Sequence, residues 1–505
     1  MLGNEHGGMN EVLADAYAIT YDAKYLSCAR RFSHKQLLAP MEKGKDCLDN
    51  MHANTQIPKV IGYQRIAELA HDMQYHNASE YFWEIVTRQR SLALGGNSRR
   101  EHFPTKETCI DYVNDIDGPE TCNTYNMLKL TEDLNRVNHQ GMYGDFYETA
   151  MFNHILSAQH PEHGGYVYFT SARPRHYRNY SAPNKAMWCC VGTGMEDHGK
   201  YGQFIWTHDK GMKTEDDALY VNLFVASELN WKERKMMLRQ QTAFPYAETS
   251  NIEVTKGKGV FTLKIRKPLW CDNFTVMGIG FAVDCYEENG FVCIKRKWKK
   301  GNQVEISMPM HAYIKPMINV PQYVAIMYGP ILLGMKSGTE DMRSLIADDS
   351  RFGQYADGMK LPLDKALEAR TVDKVSPGEQ QPETDHRMET DDSSKGNTEG
   401  IFFRDAEDGH YFSYLMQTKG ETNLSLQLKF WGQDEWRTSE FDIYVNDKLL
   451  CSVNNSHRWR TTQFKTVDYE IPAEFVKGKK EVRVKFVAHK GKQVGQIYGV
   501  RLVKN

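Results

Sequence analysis

A single change of hydrophobic period, close to Ala218, limits most strongly what this chain can fold into. Ahead of it, apolar residues return every three or four positions, the spacing that lines one face of an α-helix. Met9, Val12, Leu13, Ala16 and Tyr17 form one such stripe. Ile57, Val60, Ile61, Leu69, Ala70 and Met73 form a second, with Pro58 suited to a first helical turn, and Met127, Leu130, Leu134 and Val137 a third. Shorter helices carry Tyr25, Cys28, Ala29 and Phe32, then Tyr81, Phe82 and Ile85, then Phe146, Ala150 and Phe152. About seven helices are expected before residue 210, paired as antiparallel hairpins. A tetratricopeptide-like solenoid needs a fixed period of about 34 residues. The recurring Tyr25, Tyr81 and Tyr147 are unevenly spaced, which favours a helical toroid.

Beyond Ala218 the period is two. Phe261, Leu263 and Ile265 alternate with Thr262, Lys264 and Arg266, as in a half-buried strand. Asn289-Gly290 ahead of Phe291-Val292-Cys293-Ile294 marks a two-residue hairpin turn. Strands resume late in the chain, with Phe441, Ile443 and Val445, and with Val482, Val484 and Phe486. The stretch Val375 to Gly400 is dense in Glu, Asp, Ser, Pro, Gly and Gln, a composition that buries little apolar surface. The expected plan is therefore α + β and multidomain: a helical domain over 1–210, a β-sandwich over 211–338, an exposed loop-rich linker over 339–400, and a C-terminal accessory β-sandwich over 401–505.

Charge and hydropathy exclude some partners. Lys plus Arg is 63 and Asp plus Glu is 65, a net charge of −2 that argues against a dedicated nucleic-acid binder. No run approaches the roughly 18 to 20 apolar residues of a membrane span. Met1 to Asn10 lacks the apolar core of a secretion signal. A periplasmic or extracellular location is expected only if a signal lies upstream, and a cytoplasmic one otherwise.

Ten cysteines are scattered along the chain, unlike the dense framework of a small disulfide-stapled fold. Cys28 and Cys293 sit on expected helix and strand faces and read as small core residues. Cys189-Cys190 differs, because it lies in Met187-Trp188-Cys189-Cys190-Val191-Gly192-Thr193-Gly194, where the glycines mark a sharp backbone turn that could aim both thiols at one point. A pair of buried thiols is the alternative. Upstream, Pro119-Glu120-Thr121-Cys122 opens the third helical stripe, where exposed amide groups favour a carboxylate. Glu120 with Cys122, Cys189 and Cys190 would make a closed four-ligand set suited to Zn²⁺, although no C-x-x-C spacing supports it and Glu120 reads equally as a helix-start acid. Glu101, in the Gly-rich run Gly95-Gly96-Asn97-Ser98-Arg99-Arg100-Glu101-His102-Phe103, reads either as a solvated loop acid or as a general acid raised by desolvation near Phe103.

Together, Gly95 to Phe103, Glu120-Thr121-Cys122 and Trp188 to Gly194 resemble glycoside hydrolase family 127 and its sister family 146, the retaining β-L-arabinofuranosidases. His52-Ala53-Asn54-Thr55-Gln56, Gly164-Gly165-Tyr166 and Gly194 to Tyr201 add to the resemblance, which spans about residues 1 to 335. It implies an (α/α)6 toroid followed by β-sandwich domains. It also implies zinc held by Glu120, Cys122, Cys189 and Cys190, with Cys189 as nucleophile and Glu101 as general acid/base. The implied substrate is an oligo- or polysaccharide carrying β-L-arabinofuranose. His52, Gln56, Tyr166, Tyr168 and His176 are candidate sugar contacts, each equally readable as a structural loop residue. A full toroid of six hairpins has about twelve helices against about seven read here, so the chain is expected to hold the C-terminal part of a toroid and to hydrolyse weakly or not at all. Two other readings compete: a toroid-type polysaccharide lyase using Arg173-Pro174-Arg175-His176-Tyr177, and a non-catalytic carbohydrate-binding scaffold in which Cys189-Cys190 belongs to the core.

Overall fold

The computed structural model describes residues 7–335 and 365–505, apart from 163, 174, 175, 177, 182–185, 399, 400 and 434–437. The described residues fall into two compact units, one of Met1–Arg178 with Cys189–Ser337 and the other of Asn179–Trp188 with Gly338–Asn505.

The first unit opens with α1 (Met9–Thr20), α2 (Ala23–Arg31), α3 (Lys35–Glu42), α4 (Ala53–Ala70), α5 (Met73–Ile85), α6 (Thr121–Val137), α7 (Gly141–Ala150) and α8 (Cys189–Asp197). All but α3 and α8 were expected. Side-chain caps start several of them: Asp22 accepts from the Lys24 amide, Asp72 from Gln74 and His52 from Thr55. The central element is α4, packed by α1, α5 and α6 around Ile57, Val60, Ile61 and Tyr63. The stripe on α1 is turned differently from its expected face, because Val12 is 62% exposed while Asn10 is buried and donates to the Lys59 carbonyl at 2.7 Å. Among the described residues no helix is long and apolar enough to cross a membrane.

Strands follow, in two five-stranded sheets. The first has the order β1-β2-β6-β9-β8, from Trp206–Asp209 (β1), Ala218–Val221 (β2), Lys258–Arg266 (β6), Tyr286–Glu288 (β8) and Phe291–Lys299 (β9). The second has the order β3-β4-β5-β10-β7, from Ser227–Trp231 (β3), Met236–Thr242 (β4), Thr249–Lys256 (β5), Thr275–Ile279 (β7) and Gln303–Ser307 (β10). Their shared core contains Phe261, Leu263, Ile265, Trp231, Trp298, Ile252 and Val304. The expected hairpin turn forms, with Asn289 and Gly290 at φ of 52° and 81°. A three-stranded sheet over 312–332 closes this unit.

One buried ion cluster ties the helices to the first sheet. Arg266 of β6 is fully buried and bonds Asp145 at 2.6 Å and Glu148 at 2.5 Å, both on α7. Its Nε donates to the Asn222 carbonyl at 2.6 Å, and the Trp270 indole donates to Glu148 at 3.0 Å. Gly144 makes room for the guanidinium arm, since a Cβ there would meet Arg266 Cδ at 2.4 Å.

The second unit is a sandwich of a six-stranded and a five-stranded sheet around Phe412, Tyr414, Leu426, Phe441 and Val484. The linker expectation is corrected here. Residues 336–364 lie outside the described residues, but 365–398 are folded. Thr371–Val375 pairs with Ile497–Lys504, and Ser394–Thr398 pairs with Ile401–Asp405. The polar composition orders itself through pairing: buried Glu383 accepts from Arg404 at 2.5 Å and from the Tyr414 hydroxyl at 2.8 Å. Backbone ladders and one satisfied charge replace the apolar burial that composition alone lacks.

Removing Arg266 strands two buried carboxylates, so Arg266→Ala is expected to cost about 3–5 kcal/mol in urea unfolding. A change within about 0.5 kcal/mol, the usual range for an inconsequential substitution, contradicts the role given to this cluster.

Candidate active site

Glu101 stands on backbone that few side-chain-bearing residues adopt. Ser98, Arg100 and Glu101 have φ of 81°, 47° and 68°, left-handed conformations that cost roughly 1–2 kcal/mol each. Hydrogen bonds fix the loop: Arg99 and His102 exchange main-chain bonds at 2.9 and 3.0 Å, and the Glu101 carbonyl accepts from the Ala53 amide at 2.7 Å. Its carboxylate is bonded at one oxygen and approached at the other. The Tyr168 hydroxyl donates to Oε1, and His52 Nε2 lies 3.7 Å from Oε2. His52 Nδ1 accepts the Thr55 amide at 3.3 Å, which assigns the ring proton to Nε2, facing the acid.

The thiols meet where two helices begin. Glu120 is the N-cap position of α6, and Cys122 follows in its first turn. Cys189 and Cys190 open α8, so the glycines of that segment lie within a helix rather than at the expected sharp turn. A helical start also lets adjacent side chains approach one neighbour, which a regular strand forbids. Gly194 allows close packing, because a Cβ there would meet the Tyr166 ring at 2.3 Å.

The sulfurs of Cys122, Cys189 and Cys190 all lie within 4.8 Å of one another, with Cys122 and Cys190 only 3.3 Å apart. Cys122 and Cys190 are buried and Cys189 is exposed. None of the ten cysteines is in a disulfide. The Cys189 sulfur is 3.7 Å from the Tyr168 hydroxyl oxygen, so one phenol touches both the exposed thiol and the Glu101 carboxylate. An isolated bridge between Glu120 and Phe169 sets Tyr168 beside the thiols. Of the four expected ligands, the structure gathers three. The carboxylate of buried Glu120 is not within the 4.8 Å group, although its charge helps to raise the Cys122 thiol.

Electrostatics agree with a cation site. The Cys122 thiol is pushed well above its ordinary range by the neighbouring Cys189 sulfur, by burial and by Glu120. Burial, first, and the two neighbouring thiols do the same to Cys190. Three sulfurs this close ionise together only if positive charge is placed among them, and a soft divalent cation suits that donor set.

The other expected contacts divide. Gln56 is buried and engaged, accepting from Lys59 at 3.3 Å and donating to the His52 carbonyl at 3.4 Å. Tyr166 shares a hydrogen bond with His198 at 3.1 Å and packs on α8. His176 Nδ1 lies 2.8 Å from the Arg173 carbonyl. Pro174, Arg175 and Tyr177 of the competing lyase reading lie outside the described residues. Sequence reasoning missed Thr193, whose hydroxyl is 3.2 Å from the Cys122 sulfur and 3.0 Å from the Cys189 carbonyl. Its position one turn after Cys189 is a signal only once 189–197 is known to be helical.

Comparison with known proteins gives these residues a context. Residues 1–203 match the family model described as β-L-arabinofuranosidase, GH127 catalytic domain, and residues 218–310 match the one described as the GH127 middle domain. Residues 313–397 and 366–503 match a domain and a family of unknown function. No curated protein matches the chain. Among solved structures, a family 127 β-arabinofuranosidase superposes with a TM-score of 0.54 at 17% identity, covering 98% of this chain and 68% of that one. A family 127 β-L-arabinofuranosidase from Geobacillus stearothermophilus T6 does so with 0.52 at 17%, covering 95% and 72%. A third, described as a glycoside hydrolase, gives 0.52 at 15%, covering 96% and 73%. At these identities the superpositions speak for the fold, and the two domain matches speak for the family. The chain belongs to glycoside hydrolase family 127, carries its catalytic and middle domains, and is a β-L-arabinofuranosidase-like hydrolase.

Proposed function

We propose that this chain releases L-arabinose from β-L-arabinofuranosides of plant-type glycans with retention, at the low rate its sequence leads one to expect, using Cys189 as nucleophile and Glu101 as general acid/base. One observation carries the reading: the Tyr168 hydroxyl bonds the Glu101 carboxylate while lying 3.7 Å from the Cys189 sulfur. An acid and a nucleophile joined through one phenol can act on two sides of the same glycosidic bond.

The step balances as follows. The Cys189 sulfur attacks the anomeric carbon, the bond from that carbon to the glycosidic oxygen breaks, and Glu101 gives its proton to the departing oxygen. Water then attacks the thioglycosyl carbon, Glu101 takes a proton from it, and the sulfur leaves as thiolate. Two inversions give net retention. Tyr168 holds one oxygen of the Glu101 carboxylate through both steps, and His52 lies 3.7 Å from the other. The position of Cys189 at the start of α8 also favours its ionised form. Zinc bound by Cys122, Cys189 and Cys190, with Glu120 beside them, would supply the positive charge that keeps these sulfurs ionised near neutral pH.

With a phenyl β-L-arabinofuranoside, whose leaving group needs protonation, Cys189→Ala and Glu101→Gln are each expected to lower the rate of arabinose release by at least about 10²-fold, with a free reducing sugar and no unsaturated product. Retained hydrolysis in Cys189→Ala rules out the nucleophile, and a UV-absorbing product favours the lyase. Separately, zinc added to metal-free protein at pH 7 must displace thiol protons, because Cys122 and Cys190 hold theirs well above the ordinary range. Calorimetry in buffers of different ionisation enthalpy is expected to show release of about two to three protons per chain, with affinity rising as pH rises. Binding without proton release, or unaltered in Cys122→Ser, removes the thiols from the site.

A further inference from the structure

The backbone beneath Glu101 is placed by a set of ion pairs separate from the thiol cluster. The run Ser98 to Glu101 contains three side-chain-bearing residues at positive φ, so relaxation to ordinary backbone would swing the carboxylate away. Asp115 lies beneath this run and binds both arginines that precede Glu101. One of its oxygens accepts from Arg99 and the other from Arg100 Nη2 at 3.0 Å. Its own main chain is fastened, since the Asp115 carbonyl accepts from the Ser171 hydroxyl at 3.1 Å and its amide donates to Asp111 at 2.8 Å. The strap continues at Asp117, whose carbonyl accepts the Arg100 amide at 2.9 Å and whose carboxylate lies 3.4 Å from Arg100 Nε. Asp115 is therefore the one carboxylate among these pairs that grips both neighbouring arginines, whereas Asp111 holds Arg99 alone and Asp117 holds Arg100 alone.

We infer that Asp115 is a positioning residue: by clamping Arg99 and Arg100 it keeps the left-handed backbone on which Glu101 presents its proton to the leaving group. The inference rests on the acid/base role proposed for Glu101. A pair of arginines on one carboxylate holds geometry as well as charge, so an amide of the same shape cannot replace it.

The test separates proton delivery from folding. A leaving group that needs protonation exposes a misplaced acid, whereas a strongly activated aryl leaving group does not. Asp115→Asn is expected to lower kcat/KM by about 10- to 100-fold on poorly activated β-L-arabinofuranosides and by less than about 2-fold on the dinitrophenyl glycoside, the same pattern as Glu101→Gln. An equal loss on every leaving group reflects damage to the fold and overturns the inference. Amide hydrogen exchange provides a readout that needs no turnover: over residues 97–104 it is expected to accelerate at least about tenfold, with α6 unchanged. Unchanged exchange in that loop overturns the clamp. If Glu101→Gln shows no dependence on leaving group, the acid/base assignment fails instead, and the exchange result alone then decides whether Asp115 holds the loop.

Discussion

Three sulfur atoms packed within 4.8 Å, two of them out of reach of water, set the terms for the rest of this site. Two unit charges about 4 Å apart repel by about 4 kcal/mol at the effective dielectric near a protein surface, and burial makes matters worse. Left alone, such a cluster stays protonated, and a protonated thiol is a poor nucleophile. The same arrangement becomes an asset once a cation lies among the sulfurs, because each repulsion turns into a shared attraction. The local fold gathers these sulfurs: α6 and α8 both begin here, and the Glu120–Phe169 bridge brings Tyr168 up against them.

Burial differs among the three sulfurs in a way that assigns labour. Cys122 and Cys190 are enclosed, with Cys122 further contacted by the Thr193 hydroxyl. Cys189 is exposed and faces Tyr168. A ligand that must also attack a sugar needs an open side, whereas ligands that only hold a cation gain from being shut in. Exposure thus distinguishes the proposed nucleophile from its neighbours more directly than any sulfur-to-sulfur distance.

Much of this was legible in the chain, and what was not has specific causes. The stripes on α4 and α6 and the alternation on β6 were readable because their apolar residues are long-range core contacts with the proper period. Helix α8 was not, because Gly192 and Gly194 read as breakers, and only the Tyr166 ring packed on Gly194 explains why a small residue belongs in that helix. Residues 375–398 were mistaken for linker because composition does not register a strand held by its ladder, or a buried Glu383 matched by Arg404. At the site, residue types and order announced the thiols and Glu101. The sequence did not show that Gln56 is bonded to Lys59, one turn along α4. The left-handed backbone at Arg100 and Glu101 had no signal either, since neither is glycine.

The proposed acid and the proposed nucleophile are held by different means. Cys189 depends on the start of a helix and on its sulfur neighbours, so its position follows from the packing of α6 against α8. Glu101 depends on a loop kept in an unfavourable conformation by ion pairs and main-chain bonds, with His52 and Tyr168 at its oxygens. Tyr168 contacts both sides through one hydroxyl, and a phenol is suited to this because it can donate to a carboxylate while accepting from a thiol. In a retaining glycosidase with two carboxylates, the charge of the nucleophile raises the pKa of its neighbour, which stays protonated as the acid. In the mechanism proposed here a thiolate replaces one carboxylate, and the like-charge repulsion falls within the sulfur cluster instead. The sugar would then meet a single carboxyl, placed by backbone geometry.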